Sequence, residues 1–449
     1  MSSDSTPCRF NDDYVLVKYK ENDRNKVVTY SKFIEHYPQV VGRPAFTKEI
    51  QPVCENVECL IKHYEVELSY NLIKHKIEVT IEEKTCTLAD SLIYLWDCCE
   101  KHGFKIKKDR LKMQLVYIAH ENKVNPVKEY ILKSYYKNKG NNLKDMYETN
   151  RLIYTLVPAE NEHSIKKMKL YITKWLIQAV ALATCDEEDS VITQFILVLK
   201  GNQGIGKTSW FRSIVPKEMQ AKYFMSGRNL DPNNKDHIIE MNGVWFCELG
   251  EVGSTTGKAN NEQLKALITN DYDTVRLPYA EESTTLKRRT SLCATTNDER
   301  FLKDTTGSRR FVTIDISNTK KNANIDLSLV YAEIYNAYLS GAIFHFTDKE
   351  REELEKDNSN YKVKSDVQLG VETFFELLTD PKESMHGYVV RTSKQIHNVI
   401  VNHSSFADKP PTTVAIGRTL TAIGVVSKDL GKNRKGFYVK LINEEVDDC

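Results

Sequence analysis

Hydrophobic and polar positions along this chain follow two periods, and the switch between them marks its elements. Residues 15–19 and 27–29 alternate like a short β pair. Residues 88–99 instead bring Leu92, Leu95 and Trp96 onto one face, predicting an amphipathic helix. Further helices are expected over residues 109–121 and 127–136, and a polar, turn-prone KNKGNN (137–142) follows. Residues 164–184 place Ile172, Trp175, Leu176, Ala179 and Val180 on one stripe. The acidic run 186–189 ends that helix, and the apolar FILVL (195–199) reads as a buried strand. From there to about residue 345 strands and helices alternate, the pattern of a mainly parallel sheet. Residues 348–362 are highly charged and read as a helix end plus linker. Helical patterns then recur at 372–378, 392–401 and 413–423, before a GKNRKG turn between two β-like runs. Three helices and a hairpin in that order suggest a winged helix.

The pattern predicts an α/β protein in three parts. These are a mostly helical α+β region (1–150), a three-layer core (151–350) and a winged-helix-like region (363–449). At 449 residues the chain is too long for one core. Its 41% hydrophobic and 28% charged content is that of a globular protein. Net charge is +1, so any polyanion must be met by local patches. One such patch is Lys101, Lys105, Lys107, Lys108, Arg110 and Lys112, a nucleic-acid-facing surface or a solvated helical face. No stretch is apolar enough to span a membrane, and the polar MSSDSTPCRFNDD lacks a signal-peptide core. The expectation is a cytoplasmic protein, in a bacterium or an infected host cell. The ten cysteines include no C-x-x-C pair and are expected to be reduced and mostly packed.

The chemistry concentrates after the FILVL strand. Gly201, Asn202, Gln203, Gly204, Ile205, Gly206, Lys207 and Thr208, with Ser209 beyond, fit G-x-x-x-x-G-K-[ST] between a strand and a helix. In that context the loop cradles phosphates on backbone N–H groups. Lys207 reaches the β- and γ-phosphates, and the Thr208 hydroxyl ligates Mg²⁺. Hydrolysis also needs a carboxylate at a neighbouring strand end. Glu248, at the carboxyl end of the expected strand 244–247, is the candidate for metal holding and water activation, with Glu251 three residues later. A strand at 291–295 leads to Asn297, placed to orient the attacking water or sense the γ-phosphate, or simply to make a turn. Arg309 and Arg310 precede a β-like run at 311–316. They are either solvated or an arginine finger for a neighbour's nucleotide.

These motifs occur together and in order: the glycine loop, ELGE (248–251), RLPYA (276–280), TTNDERFLKD (295–304) and TGSRRF (306–311). In this the sequence resembles the virulence-associated protein E family and, more broadly, superfamily 3 helicases, AAA+-like ATPases that assemble as hexamers on DNA. The resemblance covers roughly residues 100–345. It implies an ATP- and Mg²⁺-dependent helicase or translocase of a phage or mobile element, acting in replication as a ring on single-stranded or forked DNA. Lys207 and Thr208 become the ATP and Mg²⁺ residues, and Glu248 the Walker B acid. Asn297 becomes the sensor, and Arg310 or Arg309 the trans-acting finger. A pore hairpin over 273–289 would offer Arg276, Lys287, Arg288 and Arg289 to DNA phosphates, unless they pack or pair locally with Glu281 and Glu282. In the C-terminal region Lys432, Arg434 and Lys435 would form a basic wing on DNA, or a solvated hairpin. Glu248 has no adjacent acid, which leaves a catalytic share for Glu251 open. No primase-like acidic motif stands in 1–150, so a separate primase is an expected partner. Two rival readings remain, an ATP-controlled regulator that does not unwind DNA and a P-loop kinase.

Overall fold

A computed structural model describes residues 14–21, 24–31, 48–50, 52–159, 162–228, 230–231, 233–250, 268–276, 283–302, 308–320, 323–382, 384–403, 411–431 and 434–442. The chain forms two compact units. One comprises Met1–Val252, Glu262–Asn297 and Arg310–Thr347, and the other Gly253–Asn261, Asp298–Arg309 and Asp348–Cys449. Glu251 and Lys432 lie outside the described residues.

The first part of the larger unit holds more strand than its sequence pattern suggests. Tyr14–Glu21 pairs antiparallel with Arg24–Ser31 and with Lys48–Ile50. A second sheet is built from Glu67–Asn71, Lys76–Ile81, Lys84–Cys86 and Lys123–Val124. Helices still hold the larger share of the described residues here, beside two sheets where the sequence pattern marks only one short β pair. The turns between these strands carry no Gly or Pro to announce them. Instead His75, Glu82 and Glu83 adopt positive φ values of 51°, 49° and 64°, a conformation that usually calls for Gly or Asn. The helices expected here are present as Leu88–Lys101, Lys108–Glu121 and Pro126–Asn138. Thr87 starts the first: its hydroxyl accepts from the Asp90 N–H at 3.1 Å. Leu92, Leu95, Cys98 and Cys99 pack with Val57, Leu60, Phe104 and Leu111 in one core.

The central sheet has six strands in the order Phe224–Arg228, Phe246–Leu249, Ser291–Thr296, Ile196–Lys200, Phe311–Thr319, Leu156–Pro158. The first five are mutually parallel, and only the Leu156–Pro158 edge is antiparallel. Parallel strands are covered on both faces, which explains the unbroken apolar run from Phe195 to Leu199, every residue fully buried. At roughly 1.5–3 kcal/mol per buried large apolar side chain, this strand is a main stabilising element. The helix Glu162–Thr184 lies against it. Its predicted stripe is buried, but so are Ile177, Ala181, Leu182 and Ala183. Burial extends round the helix because it also packs against Leu327–Leu339 and Pro126–Asn138. Trp175 Nε1 donates to the Leu292 carbonyl at 3.0 Å, and Gln178 Nε2 donates to the Phe195 carbonyl at 3.1 Å, tying helix to sheet. Among the described residues no helix is long and apolar enough to cross a membrane.

The smaller unit holds the helices Asp366–Phe374, Ser393–His403 and Thr413–Ile423 over a sheet of Phe375–Leu377, Lys435–Leu441 and Val389–Thr392, with Ser427–Asp429 also paired to Lys435–Leu441. The helix expected at 372–378 starts six residues earlier and stops at Phe374. Ser365 caps its start, and Phe375 turns into a strand paired with Leu441. Val371, Phe375, Ile396, Ile400, Ile416, Leu420, Phe437 and Val439 form the core.

His75 gives the larger unit a pH dependence. Its Nε2 is buried without a hydrogen-bond partner, and burial, with the Arg289 charge second, lowers its pKa to about 4. An unfolded histidine titrates near ~6.5. The unfolded chain therefore takes the proton first. The stability this group contributes is complete above its unfolded pKa and is lost as pH falls towards about 4. Urea unfolding at pH 7.5 and 4.5 should show His75→Gln losing less stability on acidification than the wild type, by up to roughly 3 kcal/mol.

Candidate functional site

The five parallel strands all point their carboxyl ends to one edge of the sheet, and the residues singled out in the sequence collect there. Lys200 ends the loop strand and leads into Gly201–Gly206. Phe246–Leu249 carries Glu248, and Ser291–Thr296 leads to Asn297. The strand that carries Asn297 lies between the other two, with Glu248 level with Cys293, and Cys293 level with Leu197. Ligand sites of open α/β sheets form at this edge.

The loop is closely supported. Gly206 has φ 95°, and a Cβ there would stand 2.5 Å from the Thr319 hydroxyl oxygen. A Cβ on Gly201 would overlap the Ile316 carbonyl oxygen. Glycine is required at both positions by this close approach. The Thr319 hydroxyl also donates to the Ile205 carbonyl at 2.5 Å, so the end of the Phe311–Thr319 strand props the loop from beneath.

Lys207 is buried, and its ammonium is fully engaged. Nζ donates to the carbonyls of Gly201 at 2.7 Å and Asn202 at 2.8 Å and to Asn297 Oδ1 at 2.7 Å. Burial lowers its pKa, and the nearby Glu248 charge acts against that. Glu248 is only 1% exposed. It lies inside its strand, where the sequence placed it just beyond the end. Burial is tolerated because three donors meet it: the Thr208 hydroxyl on Oε1 at 2.6 Å, the Thr295 hydroxyl on Oε1 at 2.9 Å and the Gly227 N–H on Oε2 at 3.3 Å. Two hydrogen-bonded groups meet at consecutive residues, Lys207 with Asn297 and Thr208 with Glu248. Thr295 and Gly227 complete the second group and Thr319 holds the loop at Ile205, and all three were missed in the sequence. Thr295 falls within the TTN run that drew attention to Asn297, so a usable signal was present for that residue.

Arg309 is exposed and Arg310 half-buried, in a 3₁₀ turn over Ser308–Arg310. Phe311 is level with Ile196 and Asp315 with Lys200, which puts Arg310 at the amino-terminal edge of the sheet. That is roughly 16 Å, about five strand residues, from the level of the loop in its own chain.

The hairpin cations turn out differently from expectation. Tyr272–Val275 and Thr284–Lys287 do pair antiparallel. Arg276, just past the first strand, is exposed. Lys287, Arg288 and Arg289 are buried and face inward. Lys287 Nζ donates to the carbonyls of Asp186 at 2.5 Å, Glu187 at 3.2 Å and Asp189. Arg288 pairs with Asp273 at 2.5 Å, and Arg289 donates to the Cys185 carbonyl at 2.5 Å. The reading of these three as phosphate contacts is withdrawn: buried cations need partners within the fold, and here they have them. Of the wing residues, Arg434 and Lys435 are exposed. Lys101, Lys105, Lys107, Lys108, Arg110 and Lys112 are all exposed as well. The eight cysteines among the described residues are all free thiols, and no group of three metal-ligating side chains occurs among these residues.

Fold and site together define an α/β protein with a glycine-rich loop at the carboxyl edge of a parallel sheet and a buried lysine and glutamate beside it. Residues 144–363 match the virulence-associated protein E-like domain. No curated protein matches the chain. Among solved structures, the apo structure of the NrS-1 C terminal region (305-718) is 14% identical, with a TM-score of 0.43, over 85% of this chain and 98% of that one. The A form apo structure of the same C terminal region is 13% identical, with a TM-score of 0.42, over 87% of this chain and 100% of that one.

The Asp273–Arg288 pair is open to a direct test. Asp273→Ala removes the carboxylate paired with a fully buried guanidinium and should cost about 3–5 kcal/mol in urea unfolding. A loss under about 1 kcal/mol would show that the pair does not hold the hairpin.

Proposed function

We propose that this chain is an AAA+-like P-loop ATPase that binds ATP with Mg²⁺ and couples its hydrolysis to movement along DNA. The observation that carries this reading is the pairing of Lys207 with Asn297 and of Thr208 with Glu248 around a loop that tolerates no Cβ at Gly201 or Gly206. The virulence-associated protein E-like match over residues 144–363 supports it.

In this reading Lys207 exchanges its two backbone carbonyls for the β- and γ-phosphate oxygens. The hydroxyl of Thr208 and, through water, the carboxylate of Glu248 fit Mg²⁺, which takes few protein ligands and keeps several waters. The ion would neutralise charge on the β- and γ-phosphates. Glu248 orients the attacking water and accepts its proton, and Asn297 holds the γ-phosphate side of the site. A share for Glu251 belongs to the same proposal. Arg310, at the far edge from its own loop, would serve the loop of a neighbouring subunit in a ring, probed together with Arg309.

DNA contact is assigned to exposed cations. These are Arg276 on the hairpin, Arg434 and Lys435 on the wing, with Lys432 in the same GKNRKG stretch of sequence, and the basic residues at 101–112. The smaller unit supports a winged-helix reading. Val389–Thr392 precedes two helices, and its pairing with Lys435–Leu441 closes the sheet. Binding through such contacts is to the phosphate backbone, hence salt-sensitive and weakly selective for sequence. Replication of a phage or mobile element, with a separate primase, is the proposed setting.

Steady-state ATP hydrolysis with and without single-stranded DNA tests the reading. Lys207→Ala should abolish turnover, and Glu248→Gln should lower it at least about 100-fold while ATP still binds. Normal turnover in Lys207→Ala would sink the site assignment. Hydrolysis that DNA does not stimulate, with no strand displacement on a forked duplex, would favour an ATP-controlled regulator instead. Arg310→Ala should bind ATP and fail to hydrolyse it. Mixing it with Lys207→Ala should restore part of the turnover, and no recovery at any ratio would count against a shared site.

A further inference from the structure

Glu248 has a partner that neither the loop motif nor the strand-end logic assigns. Thr295 sits on the strand between the acid strand and the loop strand, level with Leu199. Two residues before it, Cys293 is level with Glu248. Alternation along a strand sends residues 293 and 295 to the same face, so the Thr295 hydroxyl comes diagonally onto the carboxylate. It donates to Oε1 at 2.9 Å, the oxygen that also accepts from Thr208. Oε2 accepts from the Gly227 N–H.

We propose that Thr295 is a positioning residue for Glu248: it holds the carboxylate in its reacting orientation when the Thr208 hydroxyl is engaged elsewhere. This rests on the hydrolytic reading above, in which Thr208 turns to the metal. That exchange removes the shortest hydrogen bond Glu248 has. A buried carboxylate left with one backbone donor is free to rotate about its terminal torsion, which is broad and weakly restrained. Thr295 prevents this, because its strand is fixed by register on both sides and its branched side chain is stiff at χ1. The hydroxyl needs no contact with nucleotide or water to act. Its effect falls on turnover rather than on binding.

Thr295→Val removes the hydroxyl and keeps the branched shape. Loss of one hydrogen bond to a charged group should lower kcat for ATP hydrolysis about 10- to 100-fold. KM for ATP, and the affinity for a fluorescent ADP analogue, should stay within about twofold. Thr295→Ser, which retains the oxygen, should recover most of the turnover. In Glu248→Gln, adding Thr295→Val should cost nothing further, since both changes act through one carboxylate. Wild-type kcat in Thr295→Val overturns the proposal, as does a Ser variant as slow as the Val variant, which would indicate packing alone. The two layers separate cleanly. If Glu248→Gln itself turns over normally, the hydrolytic reading falls and takes Thr295 with it. If Glu248→Gln is inactive while Thr295→Val runs at full rate, only the Thr295 assignment falls.

Discussion

The constraint on which this site depends is a carboxylate buried in a parallel sheet. Glu248 is almost fully enclosed, and an ion removed from water without hydrogen bonds costs far more than a fold of this size can absorb. Three donors must therefore reach it, and they come from three separate segments: Thr208 from the helix after the loop, Thr295 from the neighbouring strand and Gly227 from the strand on its other side. The requirement fixes the order and register of those strands as firmly as their apolar packing does. Lys207 meets the same demand from the opposite charge, with Asn297 and two loop carbonyls. The Glu248 charge offsets part of what burial does to the lysine.

A second set of buried charges does mechanical work elsewhere. The segment from Cys185 to Asp189 follows the long helix and leads towards the loop strand. Its backbone carbonyls receive Lys287 and Arg289 from the hairpin region, and the Glu187 carbonyl receives the Tyr272 hydroxyl at 3.1 Å. Its side chains receive Lys123 at 3.1 Å and Lys128 at 2.6 Å from the first part of the chain. Cations gather there because carbonyls just past a helix end have no partner within the helix and the helix dipole is negative at that end. The exposed ion pairs to Lys123 and Lys128 add little to stability; the buried contacts of Lys287 and Arg289 carry the attachment.

What the sequence made legible follows from this. The glycine loop, Lys207, Thr208, Glu248 and Asn297 were readable because each sits at a fixed offset from an apolar strand, and those strands have no other way to be buried. The helices at 88–101 and 413–423 were readable from their apolar periodicity, the first to within two residues of its end, and the structure shows each capped at its start by a threonine, Thr87 and Thr412. Thr295 was only half legible: the TTN run marks its neighbourhood, but a threonine near a strand end is ordinary until register shows what lies diagonally across from it. Lys287, Arg288 and Arg289 misled for a related reason. A run of cations beside a predicted turn looks like a surface, and only the position of residues 185–189 reveals that it faces inward. The strands at 67–86 escaped because their turns are closed by His and Glu at positive φ, where Gly or Asn would have marked them.

The strand Phe311–Thr319 joins these considerations. Its carboxyl end supports its own chain's loop twice, through the Ile316 carbonyl under Gly201 and the Thr319 hydroxyl on Ile205. Its amino end begins directly after Arg310, at the opposite edge of the sheet. A strand rises about 3.3 Å per residue, and an arginine side chain reaches only some 6–7 Å, so the guanidinium cannot turn back to the loop its own strand supports.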